Sequence, residues 1–283
     1  MSRARRLSPT LGLVPFLAYL FVFLLVPTIT VVVGAFQDGG GVSFTKIQAL
    51  AQTTPATALW KSVLLSGSTA VVGALLGALL AYLIVTRPAT SVLRRTVIAV
   101  CGVLAQFGGV MLAFAFVATI GFSGALTVAL RNAFGIDIFG SGWLFALPGL
   151  IVVYVYFQIP LMVIVFLPAL EGLRPQWREA AVNLGASTWQ YWTRVAIPML
   201  FPAFLGAMLL LFANAFAAYA TAAALVSQGN PILPLLIRSA LISEVMLGQQ
   251  NFAFALAFEM IVVVAILMTL YTLLVRRTSR WLR

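Results

Sequence analysis

Apolar residues dominate six long stretches of this 283-residue chain, at about 11–36, 63–86, 97–120, 143–170, 199–226 and 252–275, and the charged and polar residues collect between them. Each stretch reaches the ~20 residues that a helix needs to cross a bilayer. Hydrocarbon offers no partner for backbone N–H and C=O groups, so a crossing segment must satisfy them within its own helix. The pattern predicts an all-α, polytopic membrane protein with six transmembrane helices, forming one domain over residues 1–283.

The first stretch follows Arg3, Arg5 and Arg6, an arrangement like the front of a secretory signal. It is longer than a signal core, has no convincing small-residue cleavage site and is followed by five more spans, so it reads as a retained helix. Pro15 and Pro27 each remove a backbone donor and are expected to bend it.

Charge sets the orientation. Of the 17 bases, thirteen fall in alternate segments: Arg3, Arg5, Arg6; Arg87, Arg94, Arg95; Arg174, Arg178, Arg194; and Arg276, Arg277, Arg280, Arg283. The other four, Lys46, Lys61, Arg131 and Arg238, lie on the opposite side. The positive-inside rule therefore puts both termini and residues 171–198 in the cytoplasm of a bacterial-type inner membrane. The outer segments, 37–62, 121–142 and 227–251, are rich in glycine and polar residues and too short for a separate domain.

Composition excludes several chemistries. Only 8% of residues are charged and 63% are hydrophobic, against roughly a quarter charged in soluble domains. The net charge of +11 is spread over membrane-flanking breaks, which speaks for the bilayer as partner and against nucleic acid. With no histidine in the chain, Ser-His and Cys-His catalysis and histidine metal sites are unavailable. The single Cys101 has apolar neighbours and reads as a packing residue. Neither Lys46 nor Lys61 follows a glycine, so the phosphate-binding loop G-x-x-x-x-G-K-[ST] cannot be written. The chain is expected to hold no cofactor and not to hydrolyse ATP.

Residues 171–198 carry the most specific pattern. Pro175 suits a first helical turn, where its missing N–H costs nothing. Trp177, Ala180, Ala181 and Leu184 then fall at i, i+3, i+4 and i+7, placing one apolar stripe on a short helix. Gly185 supplies the stop. Ser187 and Gln190 have capping-box spacing and open a second helix, and Pro198 marks the start of the next span. The unit is a helix, a glycine elbow and a helix held outside the bilayer.

Glu179-Ala180-Ala181, Gly185 and Val195-Ala196-Ile197-Pro198 resemble the E-A-A-x3-G-x9-I-x-L-P loop of ATP-binding cassette (ABC) importer permeases, with Val195 and Ile197 as conservative changes. Six spans with this loop between the fourth and fifth fit that family over nearly the whole chain. Residues 212–221 also resemble permeases of the spermidine/putrescine type, which would make the solute a polyamine-like cation. The resemblance implies a subunit that works with a cytoplasmic ATPase dimer carrying ATP and Mg, a second permease in a heterodimer, and an extracytoplasmic solute-binding protein. Glu179, Ala180, Ala181 and Gly185 would form the ATPase-coupling interface, and Trp177 and Leu184 join them through the apolar stripe.

Other patterns carry less. Ser43-Phe44-Thr45-Lys46 matches S-x-x-K but lacks its K-T-G partner. Gly121-Phe122-Ser123-Gly124 is similar to the serine motif of rhomboid proteases, which need a histidine, and is expected to be a turn. Gly73 and Gly77 form a GxxxG pattern, read as packing within the subunit. Gln106, Gln158, Asn214, Tyr219 and Glu259 fall inside the predicted spans, where each costs free energy unless it meets a partner or water. They are candidates for the translocation path. Glu259 has structural alternatives, a pair with Arg238 or snorkelling to the outer boundary, and for Asn214 and Tyr219 helix-to-helix hydrogen bonding competes with pore lining. The competing function is a self-sufficient secondary transporter or channel, which usually shows charge networks or inverted repeats in its spans.

Overall fold

A computed structural model describes residues 9–38, 41–226, 232–242 and 250–278. Arg3, Arg5, Arg6, Arg280 and Arg283, which enter the orientation count, lie outside the described residues, as do 227–231 and 243–249 of the last outer segment.

The described residues are mainly helical. Helices α1 (Pro9–Leu20) and α2 (Val26–Ala35) flank a π-helical turn at Phe21–Leu25. A short antiparallel ribbon, β1 (Gln37–Asp38) with β2 (Gly41–Val42), leads through α3 (Thr45–Ala49) to α4 (Thr53–Val85). Then come α5 (Val92–Gln106), α6 (Gly109–Ile120), α7 (Ala125–Phe134) and α8 (Leu147–Glu171). Next are α9 (Pro175–Asn183), α10 (Thr188–Tyr191), a second π-helical turn at Trp192–Ala196, and α11 (Ile197–Ala217). Helices α12 (Ala220–Leu225), α13 (Leu233–Ile242) and α14 (Gln250–Thr278) complete the chain.

Among the described residues, six helical stretches are long and apolar enough to cross a membrane: Leu13–Ala35, Thr53–Val85, Gly109–Phe134, Leu147–Glu171, Thr188–Ala217 and Gln250–Arg276. Three of them differ from the pattern read off the sequence, the second by beginning at Thr53, ten residues before the expected 63. The third expected span, 97–120, is divided between α5 and α6, because Gly108 is extended and Gly109 has φ +70°, a conformation that ends a right-handed helix. The fifth, 199–226, begins eleven residues earlier, at Thr188, and breaks at Ala218–Tyr219. The bend expected in the first span is the π-helical turn at Phe21–Leu25: Pro27 has no N–H for the carbonyl of Phe23, so the ladder widens just before it. Pro198 stands in the same relation to the turn at Trp192–Ala196.

The residues group into two compact units. In the unit of Met1–Ala56 and Leu236–Val262, the Phe36 ring meets the rings of Phe258 and Phe44 edge-on at 5.2 and 5.7 Å. Asn251 Nδ2 donates to the Gln37 carbonyl at 2.9 Å, and the Phe254 ring occupies the place where Gly34 would carry a Cβ.

The unit of Thr57–Leu235 and Val263–Arg283 contains a core of Leu65, Leu112, Val153, Tyr154, Phe157, Ala215 and Ala222. The Gly73/Gly77 pair packs within the subunit as expected. A Cβ at Gly73 would stand 2.6 Å from Cβ of Gln158, and one at Gly77 2.5 Å from Cβ of Met162, so α4 and α8 approach at backbone distance. Gly121–Gly124 forms the expected turn, closed by Gly124 N–H to Gly121 O at 2.9 Å. Beyond it, Asp137 organises the loop after α7 by accepting N–H groups of Phe139 and Gly140 and pairing with Arg131 at 2.8 Å. The Gly140 N–H, with those partners, holds its carboxyl below the usual carboxylate range.

Candidate functional site

The elbow at residues 171–198 is built from local signals. Pro175 occupies the first turn of α9, entered through Arg174 in extended conformation. Gly185 adopts φ +77°, open only at low cost to glycine. Gly185 N–H bonds Val182 O and Ala186 N–H bonds Ala181 O, both at 2.9 Å, the two bonds of a Schellman stop. The capping box is complete: Gln190 N–H donates to Ser187 Oγ at 3.3 Å, and Ser187 N–H to Gln190 Oε1 at 2.8 Å. Four terminal hydrogen bonds are therefore made with no help from distant residues.

What the elbow lacks is cover. No residue of α9 is buried, and Leu184 and Trp189 are 87% and 76% exposed. Trp177, Ala180, Ala181 and Leu184 do share one face, as their spacing requires, and with Tyr191, Val195 and Met199 they line an apolar hollow of about 540 Å³. Glu179 is exposed and has no ion-pair partner among the described residues. An exposed apolar face of this kind marks an interaction surface.

The elbow's ends are anchored. At the start, Arg94 in the first turn of α5 pairs with Glu171 and also donates to the Arg87 carbonyl. At the far end, Trp192 packs edge-on against Tyr82 of α4, ring centroids 5.2 Å apart. From Thr188 the helix then runs without interruption through the π-helical turn to Ala217. Sequence reasoning missed these anchors: Arg94 was counted only as an inner-side charge, and Trp192 carried no sign of its partner.

The second site lies where two broken helices meet. The gap between α5 and α6 at Phe107–Gly108 faces the gap between α11 and α12 at Ala218–Tyr219. Thr221 Oγ1 donates to Gly109 O at 3.2 Å, and a Cβ on Gly109 would stand 3.7 Å from that of Ala220. Between them is a cavity of about 270 Å³ whose lining includes Gly108, Phe157, Asn214, Tyr219 and Thr221. Of the five candidate path residues, Asn214 and Tyr219 share this cavity. Gln106 ends α5 beside it and is exposed. Gln158 lies within the helix packing, fully buried, its Nε2 donating to Leu211 O at 2.9 Å. Its Oε1 has no partner among the described residues. Glu259 is on α14 in the other unit, partly buried, with Oε2 unpartnered among the described residues.

Comparison with known proteins places this geometry. Residues 4–280 match the family model described as binding-protein-dependent transport system inner membrane component. The chain is 32% identical over 93 residues to the sulfate transport system permease protein CysT of Escherichia coli, covering 30% of this chain and 34% of that protein. It is 25% identical over 204 residues to the putative ferric transport system permease protein FbpB 1 of Haemophilus influenzae, covering 70% of this chain and 31% of that one. These matches thus span only about a third of each relative. In fold it resembles a bacterial ABC transporter involved in the import of the acidic polysaccharide alginate, with a TM-score of 0.74 at 19% identity, over 95% of this chain and 94% of that one. The MetNI methionine ABC transporter gives a TM-score of 0.59 at 18% identity, over 79% and 95%. None of these names carries a polyamine, so the spermidine/putrescine-type expectation finds no support. A helical elbow between the fourth and fifth of six spans and a family match over nearly the full length agree: the chain belongs to the binding-protein-dependent transport system inner membrane components, the multi-pass permease subunits of ABC importers.

Proposed function

We propose that this permease moves its solute by alternating access, driven through the elbow by a separate ATPase dimer that binds the ATP and Mg. Trp177, Glu179, Ala180, Ala181, Leu184 and Gly185 dock on that ATPase. The observation that carries this reading is the uncovered apolar face of α9, joined through the hydrogen-bonded Gly185 turn to the helix that starts at Thr188 and becomes the fifth span. A chain whose sequence contains no phosphate-binding loop motif is expected to receive work by contact, and a helix on a glycine elbow transmits it. Both termini face the cytoplasm, a second, non-identical permease completes the pathway, and a solute-binding protein loads it from outside. Asn214 and Tyr219 line the route, with Gln106, Gln158 and Glu259 as further polar positions along it.

The solute we favour is an oxygen-rich anion of the sulfate kind. Relatives named for sulfate support it, as does the cavity lining, which includes hydroxyl and amide groups and no carboxylate. A polycation would call for carboxylates there.

Disulfide crosslinking tests the coupling. With Cys101→Ser as background, Leu184→Cys should crosslink to a cysteine in the groove of the ATPase, with a yield that changes when nucleotide is added. No crosslink at any stage of the cycle would remove the coupling role. Uptake of labelled sulfate against labelled spermidine, in cells expressing the whole system, decides the solute class.

A further inference from the structure

We propose that Tyr154 is a positioning residue for transport: its phenol ties the fourth span to the break in the fifth, and release of that tie accompanies the change of packing. The inference rests on the alternating-access reading above. Tyr154 sits two turns into α8, fully buried, and its hydroxyl donates to Ala218 O at 2.7 Å. Ala218 follows the last residue of α11 with ψ 102°, and the first bond of α12 is Ala223 N–H to Tyr219 O. The Ala218 carbonyl therefore belongs to neither helical ladder, and the phenol supplies the donor that no backbone group does. The Ala218 carbonyl is half-buried on the wall of the cavity, and the hydroxyl is the donor that holds this break where it stands.

The placement gives the bond its consequence. One turn further along α8, Gln158 bonds Leu211 O, so two rungs join the antiparallel helices. The Gln158 rung reaches a carbonyl inside α11, which keeps its place in the helix with or without the side chain. The Tyr154 rung reaches the free carbonyl beside Tyr219, on the wall of the cavity, and the same break is held from its other side by Thr221 on Gly109 O. Sliding or turning the outer end of the fifth span must break the phenol bond before it moves Asn214 and Tyr219. Loss of one such bond shifts the balance between two packings by roughly fivefold or more.

The test compares two phenols in the complete transporter, with its ATPase and binding protein in proteoliposomes. Tyr154→Phe removes the tie at the break. Tyr271→Phe removes a similar hydroxyl, which donates to Pro202 O at 3.3 Å between α14 and α11, away from both breaks. The readout is the ratio of solute-stimulated to basal ATP hydrolysis. For Tyr154→Phe, basal hydrolysis should rise about fivefold and the ratio fall to match, while Tyr271→Phe keeps the wild-type ratio. An unchanged or increased ratio in Tyr154→Phe, or an equal fall in both variants, overturns the proposal, since equal falls would mean general loosening of packing. Thermal melting of each purified variant guards against misfolding: if Tyr154→Phe does not assemble, Thr221→Val removes the hydroxyl that holds the same break from its other side, and must then raise the basal rate, an unchanged or lower rate counting against the tie. Uptake by the wild type without its ATPase would instead defeat the underlying reading and not this step alone.

Discussion

The elbow and the paired helix break are both interruptions in otherwise continuous helix, yet they are made in opposite ways. Every bond that shapes the elbow joins residues within five positions of each other, through Gly185, Ser187 and Gln190. The break at Ala218–Tyr219 has no glycine or proline and is held by residues 64 and 112 positions away along the chain. A locally determined bend keeps its shape while its surroundings move, which suits a lever. A bend held by distant partners changes when they move, which suits a site that must open.

The sharpest way to break this contrast is Gly185→Leu. A side chain in the left-handed region costs roughly 1–2 kcal/mol, which local residues must absorb, and the elbow loses its angle. ATP-driven uptake should fall about tenfold, at normal membrane insertion, when measured at matched expression. Retained uptake would mean that the elbow's angle does not matter to coupling. Ser187→Ala removes half the capping box and about 1 kcal/mol of local helix stability. Uptake should drop several-fold while the melting temperature of the purified permease stays where it was, because α10 supports little of the buried core.

On the other side of the comparison, Gln158→Leu deletes a rung but also removes the unpartnered Oε1. The two effects oppose, and stability should change by less than about 1 kcal/mol in thermal melting. A large loss would show that the α8–α11 contact depends on the mid-helix rung rather than on Tyr154. The smallest effect concerns the Asp137 loop after α7, another locally shaped turn. Asp137 has its carboxyl held below its ordinary 3.8. A lowered acid contributes stability above the ordinary value and loses it as pH falls through the lowered one. Protease cutting within 125–142 should therefore rise only when the pH is taken below 3.8, and cutting that rises near neutrality would contradict the staple.

The elbow was legible because each of its signals sits at fixed spacing in a stretch that is otherwise polar. Gly108–Gly109 offered a readable sign of the first break, hidden inside an apolar run that looked like one span. Nothing comparable marks Ala218–Tyr219, since alanine is a good helix former and the run stays apolar. A tyrosine in an apolar span was itself a clue, because a buried phenol needs an acceptor, but the sequence cannot say which one.

The sequence by itself determined the number of spans, the position and shape of the elbow, and the close approach at Gly73 and Gly77. These follow from hydrophobic length, backbone capping and the absence of a Cβ, all of which act over a few residues. Only the tertiary structure decided where the third and fifth spans stop, which polar residues share the cavity, and which carbonyl Tyr154 holds. In a helix that is apolar on every side, all registers bury similar surface. The choice then falls to a few hydrogen bonds between distant residues, which exist only once the helices are packed.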